Sequence, residues 1–279
     1  MTSAAEWQGP VGDVWAREWR RTDLSFSGMA PALDGAILAV APGHGRAVDI
    51  GCGAGATSIA LAQARPGLSV TGVDICAALV GVARERAEGM ANLSFFVGDV
   101  IDWLAAAPPV DLLVSRHGVM FFDDPIAGFV ALRRGMKPGG RLVFSCFREA
   151  ARNAWAEDFI AAVTGAPLTL PEGYAPGPFA FADLDYTRAM LAAAGWTGIH
   201  AEAVDFPYRC GEGDDPEADA LAFFRVIGPT APLLRATPPE RRAAVLAHFA
   251  AAIADHCHDG VVEFPGSAWI WTARAGEAA

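Results

Sequence analysis

Between residues 46 and 147, short apolar runs rich in β-branched residues alternate with stretches whose apolar positions recur at helical spacing. Few folds accept that alternation. Strands joined through helices run parallel, so a series of βαβ units and a twisted parallel sheet follow. The strands read as RAVDIG (46–51), LSVTGVD (68–74), LSFFVGD (93–99), DLLVS (111–115) and RLVFSCF (141–147). Between them lie TSIALAQAR, closed by Pro66 and Gly67, then AALVGVARERAEG, a short segment over 101–107, and DPIAGFVALRRGM. The last of these carries its own punctuation: Asp124 at the N-cap, Pro125 in the first turn, two late arginines and a KPGG stop.

On the N-terminal side, Met29, Leu33, Ile37 and Val40 share one helical face. After residue 147 a helix is expected over 153–163, a proline- and glycine-rich loop over 164–180, and a helix over 183–194. GIHAEAVDFPY reads as a strand, GEGDDPEAD opens a helical insertion running to about residue 258, and GVVEFPGSAWIWTAR reads as the last strand. There is no internal repeat. The insertion is amphipathic and enclosed by sheet segments, so one domain over 1–279 is expected. It comprises an N-terminal helical lid (1–40), a core (46–147), covers (148–182 and 211–260), and the final helix and strands (183–210 and 261–274).

Composition narrows the function. A chain of 279 residues, 53% hydrophobic and 19% charged, is long enough for one large α/β domain. It has no run of eighteen uncharged apolar residues and no basic-then-apolar segment in MTSAAEWQGPVGDVW, so a cytoplasmic protein with no membrane association is expected. A net charge of -11 repels polyphosphate backbones and argues against nucleic acid as partner. The five cysteines are scattered without a CxxC pair and read as reduced, mostly buried thiols.

The stretch VDIGCGAGAT places Asp49 and three glycines, Gly51, Gly53 and Gly55, where the first strand meets a helix. Glycine suits a tight turn that a ligand must approach closely. Read as Gly51-x-Gly53-x-x-Ala56, the same letters also fit a dinucleotide fingerprint with Asp74 near the ribose spacing. The acidic residues separate the readings. Asp49 would meet a pyrophosphate with a negative charge, but it suits a ligand carrying an ammonium and a sulfonium. Asp74, ending strand 2, can accept both hydroxyls of a ribose, and Asp99, after strand 3, can accept an adenine amino group. Asp102 is a weaker candidate that begins the next helix. The three acids are spaced 25 residues apart at successive strand ends, along the crevice of an open parallel sheet.

VDIGCGAG, GVDIC, FFVGDV, DLLVSRHGVMFF and KPGGRLVFSCF together resemble the class I S-adenosylmethionine-dependent methyltransferases over roughly residues 46–147. AGWTGIHAEAVDFPY and GSAWIWTAR look like that family's last two strands. The resemblance implies a Rossmann-like, seven-stranded, mostly parallel sheet with an antiparallel last strand and helices on both faces. It implies S-adenosylmethionine as cofactor, held at Asp49, Gly51, Cys52, Gly53 and Gly55, with Asp74 and Ile75 on the ribose side and Asp99 and Val100 on the adenine side. Cys52 reads as a small residue within the turn.

The resemblance also implies that SRHGVMFFDDP, after strand 4, lines the place of methyl transfer. His117 is the candidate general base there. Ser115 and Arg116 contact the cofactor or seal the strand edge, and Met120, Phe121 and Phe122 give apolar walls. Trp15 and Trp19 share a face of an N-terminal helix, and Trp15 is a candidate for the acceptor pocket. ADHCHDG lacks zinc-like spacing and reads as a polar helix end, and Asp124 as an N-cap explains the Asp123–Asp124 pair, so no metal is expected. The expected activity is methyl transfer to a small-molecule acceptor, with oxygen favoured because His117 offers a base. Transfer to nitrogen or carbon, a nicotinamide-dependent oxidoreductase, and a non-catalytic S-adenosylmethionine-binding protein are the alternatives. Substrate identity and oligomeric state are not legible.

Overall fold

A computed structural model describes residues 4–164, 168–169, 171–228 and 230–276. Part of the proline-rich cover, residues 165–167 and 170, therefore lies outside the described residues. Four helices come first: α1 (Ala4–Trp7), α2 (Pro10–Arg17), α3 (Trp19–Phe26) and α4 (Ala30–Val40). The core alternates as the periodicity requires, through β1 (Gly45–Ile50), α5 (Ala56–Ala64), β2 (Leu68–Asp74), α6 (Ala77–Arg86) and β3 (Leu93–Val97). It continues with α7 (Val100–Ala106), β4 (Val110–Arg116), α8 (Pro125–Arg134) and β5 (Met136–Phe147). Then follow α9 (Ala154–Thr164), α10 (Leu184–Ala193), β6 (Trp196–Gly211), α11 (Pro216–Phe224), α12 (Thr230–Ala236) and α13 (Pro239–Ala254). The chain closes with β7 (Cys257–His258) and β8 (Val261–Ala275).

The strands form one sheet in the order β3-β2-β1-β4-β5-β8-β6, with β7 paired to β8. β1 through β5 pair in parallel, and β8 runs antiparallel to both β5 and β6. The antiparallel last strand follows the sequence-based expectation. The eighth strand does not. Asp259 and Gly260 both adopt positive φ, the geometry of a two-residue hairpin turn, so β7 folds back on β8 where ADHCHDG was expected to be a helix end. β5 also begins at Met136, one residue ahead of the expected KPGG stop, and runs through it with an irregularity in its pairing with β4.

Topology fixes where a ligand can enter. From β1 the chain moves outward to β2 and β3, then returns to β4 on the other side of β1. A crevice opens at the carboxyl ends of the strands where that direction reverses. The turn after β1 and the turn after β4 flank it. They meet backbone to backbone: a Cβ on Gly51 would lie 3.0 Å from Gly118 Cα.

The N-terminal helices form a jointed cover, not one rod. α2 starts at Gly9–Pro10, where proline presets the first-turn φ, and Glu18 breaks the run before α3. Trp15 and Trp19 consequently sit on different helices, which corrects the shared face read from their spacing. Gly12 lets α2 dock, because a Cβ there would meet Cys76 Sγ at 2.4 Å and Trp7 O at 2.1 Å. Gly12→Ala is expected to weaken that docking by about 1–3 kcal/mol. The check is faster limited proteolysis before residue 29 with an unchanged denaturation midpoint for the sheet.

Candidate functional site

The turn after β1 is built by glycine in the left-handed region: φ is 61° at Gly51, 53° at Gly53 and 84° at Gly55. The backbone amides of Gly51 and Cys52 both donate to Val73 O, at 2.9 and 3.2 Å, folding the turn over the end of β2. Asp74 completes the clasp. Its Oδ2 accepts from Gly53 N and its Oδ1 from Cys76 N, each at 2.8 Å. Burial raises the Asp74 carboxyl above its ordinary range against the pull of those amides. Gly53 differs from its neighbours: a Cβ on it would meet nothing within 4 Å. Its backbone lines a cavity of about 1210 Å³.

That cavity exceeds the roughly 300–1,000 Å³ usual for one small ligand, so it has room for two. Asp49, Gly51, Cys52, Gly53, Asp74, Ile75, Asp99 and Val100 all line it. Gly55 does not; it begins α5 and packs on Phe95, whose Cζ would be 2.9 Å from an added Cβ. Asp99 caps α7 by accepting from Ile101 N at 2.6 Å, while Asp102 lies in the first turn away from the cavity. Six carboxylates line the wall against two arginines, so its field favours a cationic ligand.

Asp49 is 1% exposed, and Ser58 Oγ donates to its Oδ2 at 2.6 Å. Its Oδ1 is buried without a hydrogen-bond partner. Burial pushes the Asp49 carboxyl up to about 7, moderated by Ser58 and Arg116. Among the described residues six buried side-chain polar atoms lack a partner, and Trp7 Nε1, Asp49 Oδ1 and His117 Nε2 belong to residues of this one cavity. Such atoms are costly unless a ligand meets them. An unpaired buried carboxylate oxygen fits the ammonium of S-adenosylmethionine, and an open glycine backbone fits its close approach.

The turn after β4 supplies the other flank. Ser115 is not among the residues that line the cavity, and its bonds are those of the strand-sealing alternative. Fully buried, it donates to Ile50 O at 2.8 Å and accepts from Gly118 N at 3.1 Å, stitching the two turns together. Arg116 lines the cavity and reaches Asp23 Oδ1 on α3 at 2.8 Å. His117 adopts φ of 62°, a strained conformation for a side chain of its kind. Its ring lies 4.3 Å from Phe147 and 4.9 Å from Phe26, and its Nδ1 lies 2.8 Å from Ser145 Oγ. Burial, with Arg116 beside it, lowers its proton affinity to about 3, so the ring is neutral near neutrality.

Trp15, Met120, Phe121 and Phe122, the apolar residues named from the sequence, all line the cavity. Trp7 packs on Trp15 and Phe121, at 5.4 and 5.1 Å between ring centroids. The structure adds residues that the sequence reading did not single out. Asp23 bridges Arg116 and Arg86, each at 2.8 Å. Phe26, Phe147, Trp155 and Tyr208 form a continuous ring wall, with Trp155 stacked on Tyr208 at 5.0 Å. Phe147 falls at the carboxyl end of β5, a signal already used for the three acids, and Tyr208 lies three residues before the end of β6. Phe26 and Trp155 carry no such signal.

The family described as methyltransferase domain matches residues 47–140. A malonyl-[acyl-carrier protein] O-methyltransferase of Paenibacillus sp. is 33% identical over 104 residues, 36% of this chain but 38% of that protein. A ubiquinone biosynthesis O-methyltransferase of Cereibacter sphaeroides is 32% identical over 178 residues, 61% of this chain and 69% of that protein. The solved structure of the YcgJ protein from Bacillus subtilis shares the fold, with a TM-score of 0.55 at 17% identity over 89% of this chain and all of that one. Glycine turn, strand-end acids, sheet order and kinship converge: the chain belongs to the class I S-adenosylmethionine-dependent methyltransferases.

Proposed function

We propose that this methyltransferase transfers the methyl group to an oxygen atom of a small, largely apolar acceptor. The observation that carries the reading is the two-part cavity: acids and open glycine backbone on one side, packed aromatic rings on the other. In support, the relatives named above are O-methyltransferases by description. S-adenosylmethionine supplies an electrophilic methyl on a sulfonium.

The chain's own residues bind and orient. Asp49 Oδ1 takes the ammonium, and the backbone of Gly51, Cys52 and Gly53 lies along the cofactor. Asp74 and Ile75 meet the ribose, while Asp99 and Val100 meet the adenine. Gly55 and Ser115 act from behind the wall by holding the turns. Trp15, Met120 and Phe121 join the ring wall in excluding water from the acceptor, and a dry, aligned pair of reactants gains most of the rate that displacement needs. The N-terminal helices and both cover segments contribute to this wall, through Trp7, Trp155, Pro178 and Ile227 among others, so acceptor choice resides there. None of the described helices is long and apolar enough to cross a membrane.

The test is incubation with S-adenosylmethionine and a metabolite extract, with mass-spectrometric detection of S-adenosylhomocysteine and of the methylated product. An O-methyl product is expected. A methylated amine or carbon centre as the sole product would overturn the oxygen assignment.

A further inference from the structure

The orientation of one buried hydrogen decides what His117 can do. Among the described residues its imidazole makes one hydrogen bond, between Nδ1 and the Ser145 hydroxyl at 2.8 Å, while Nε2 is buried without a partner. In a neutral imidazole one nitrogen donates and the other accepts. Ser145 is fully buried on β5, and among the described residues Nδ1 is the one acceptor its hydroxyl reaches. Were Nδ1 protonated, two buried groups would lack a partner, Nε2 as an acceptor and the serine hydroxyl hydrogen as a donor, whereas the Nε2–H form leaves one. Ser145 therefore donates to Nδ1, and Nε2 carries the ring hydrogen. The general-base role read from the sequence requires the opposite tautomer and a ring that takes up a proton.

We propose that His117, held in its Nε2–H tautomer by Ser145, donates a hydrogen bond to the acceptor oxygen of a substrate that reacts as an oxyanion. The proposal rests on the oxygen-transfer reading above and deepens it to a substrate class: an ionised phenol, enol or carboxylate. The carboxylates of the wall as a whole favour a cation, so the oxyanion is met locally, by the His117 donor and the one arginine beside it. Arg116 adjoins His117 in the chain and lines the same wall, tempered by its partner Asp23, and Tyr208 is the further titratable side chain near Phe26. The proton leaves for solvent when the acceptor ionises. One oxygen pair then forms the O–CH3 bond, the S–CH3 pair remains on sulfur, and no base is required. Ser145 is a positioning residue in this scheme, acting through His117.

Two measurements test it. In 15N-labelled protein saturated with S-adenosylhomocysteine, two-bond proton–nitrogen correlations are expected to show His117 protonated on Nε2. Ser145→Ala should mix the tautomers and Ser145→Thr restore the single form. A His117 protonated on Nδ1 overturns the proposal. The second probe is 4-nitrophenol, whose visible absorbance separates ionised from neutral forms. Its bound form is expected to ionise about one pH unit below the free probe, a tenfold shift, in the wild type and in His117→Gln, whose amide N–H replaces the donor, but not in His117→Ala. An unshifted or unbound probe overturns the proposal. Displacement of the probe by benzoate marks a carboxylate acceptor, and displacement by phenol alone marks a phenol or enol. Calorimetry with S-adenosylhomocysteine precedes the probe. Binding there without a shift removes this inference and leaves the cofactor reading intact, whereas no binding removes both.

Discussion

Replacing Asp49 by asparagine is expected to weaken cofactor binding by about a hundredfold or more and to raise the melting temperature of the ligand-free protein. The two effects share one cause. Asp49 is fully enclosed, with a single partner, Ser58, and one oxygen unpaired, and burial holds its carboxyl at about 7. Because this folded value lies above the unfolded one of 3.8, the stabilisation linked to the group is complete below about pH 4 and is lost as pH rises through 7. Asparagine carries no charge to bury, so its gain in thermal stability should be largest above pH 7 and vanish near pH 4.

The bound state reverses the preference. An ammonium at Oδ1 favours the carboxylate, so binding below pH 7 releases a proton, and affinity should fall about tenfold per pH unit on the acid side. In the Asp49→Asn variant the side chain carries no charge to attract the cation, and its amide hydrogens can face the ammonium. Calorimetry in buffers of different ionisation enthalpy reads the proton release. An affinity independent of pH between 5 and 8 would remove Asp49 from the ammonium site.

A second large effect is expected at Gly51→Ala. Two costs add there: φ of 61° disfavours any Cβ, and the Cβ would lie 3.0 Å from Gly118 Cα, backbone against backbone. The turns after β1 and β4 would be forced apart, breaking the Ser115 bridge between Ile50 O and Gly118 N. A loss of about 3 kcal/mol is expected, read as a lower urea midpoint at unchanged slope. Gly53→Ala is the informative partner. It has the same left-handed conformation, at φ of 53°, but open space around the added carbon. It should cost about 1 kcal/mol of stability while reducing cofactor affinity, because the methyl group projects into the cavity. Equal stability losses for the two variants would contradict the packing of the turns.

The frame was legible because each strand from 46 to 147 is a short apolar run bounded by breakers, and burial selects for that pattern directly. The cofactor rim was legible for a related reason. In a parallel sheet, residues that end successive strands become neighbours, so the spacing of Asp49, Asp74 and Asp99 already places them along one rim. The ring wall was not. Phe26, Phe147, Trp155 and Tyr208 come from segments far apart in sequence, and their meeting depends on the sheet order and the docking of α3 and α9, which local periodicity does not encode. That Ser115 and Gly55 stand behind the cavity wall was not legible either. Proximity in sequence to a binding turn does not say whether a side chain faces the ligand or the backbone behind it. β7 did have a signal, the Asp259–Gly260 pair, which was masked by the polar residues around it.

The Asp23 bridge has a consequence for turnover. α3 supplies Asp23 to Arg116 and Arg86 and also supplies Phe26 to the ring wall, so a single helix touches both compartments of the cavity. Were release to require that helix to lift, spent cofactor and finished product would lose their enclosure together, and their departures would be kinetically inseparable. In a viscous medium both exits would slow by the same factor; two different factors would mean that each compartment empties by its own route.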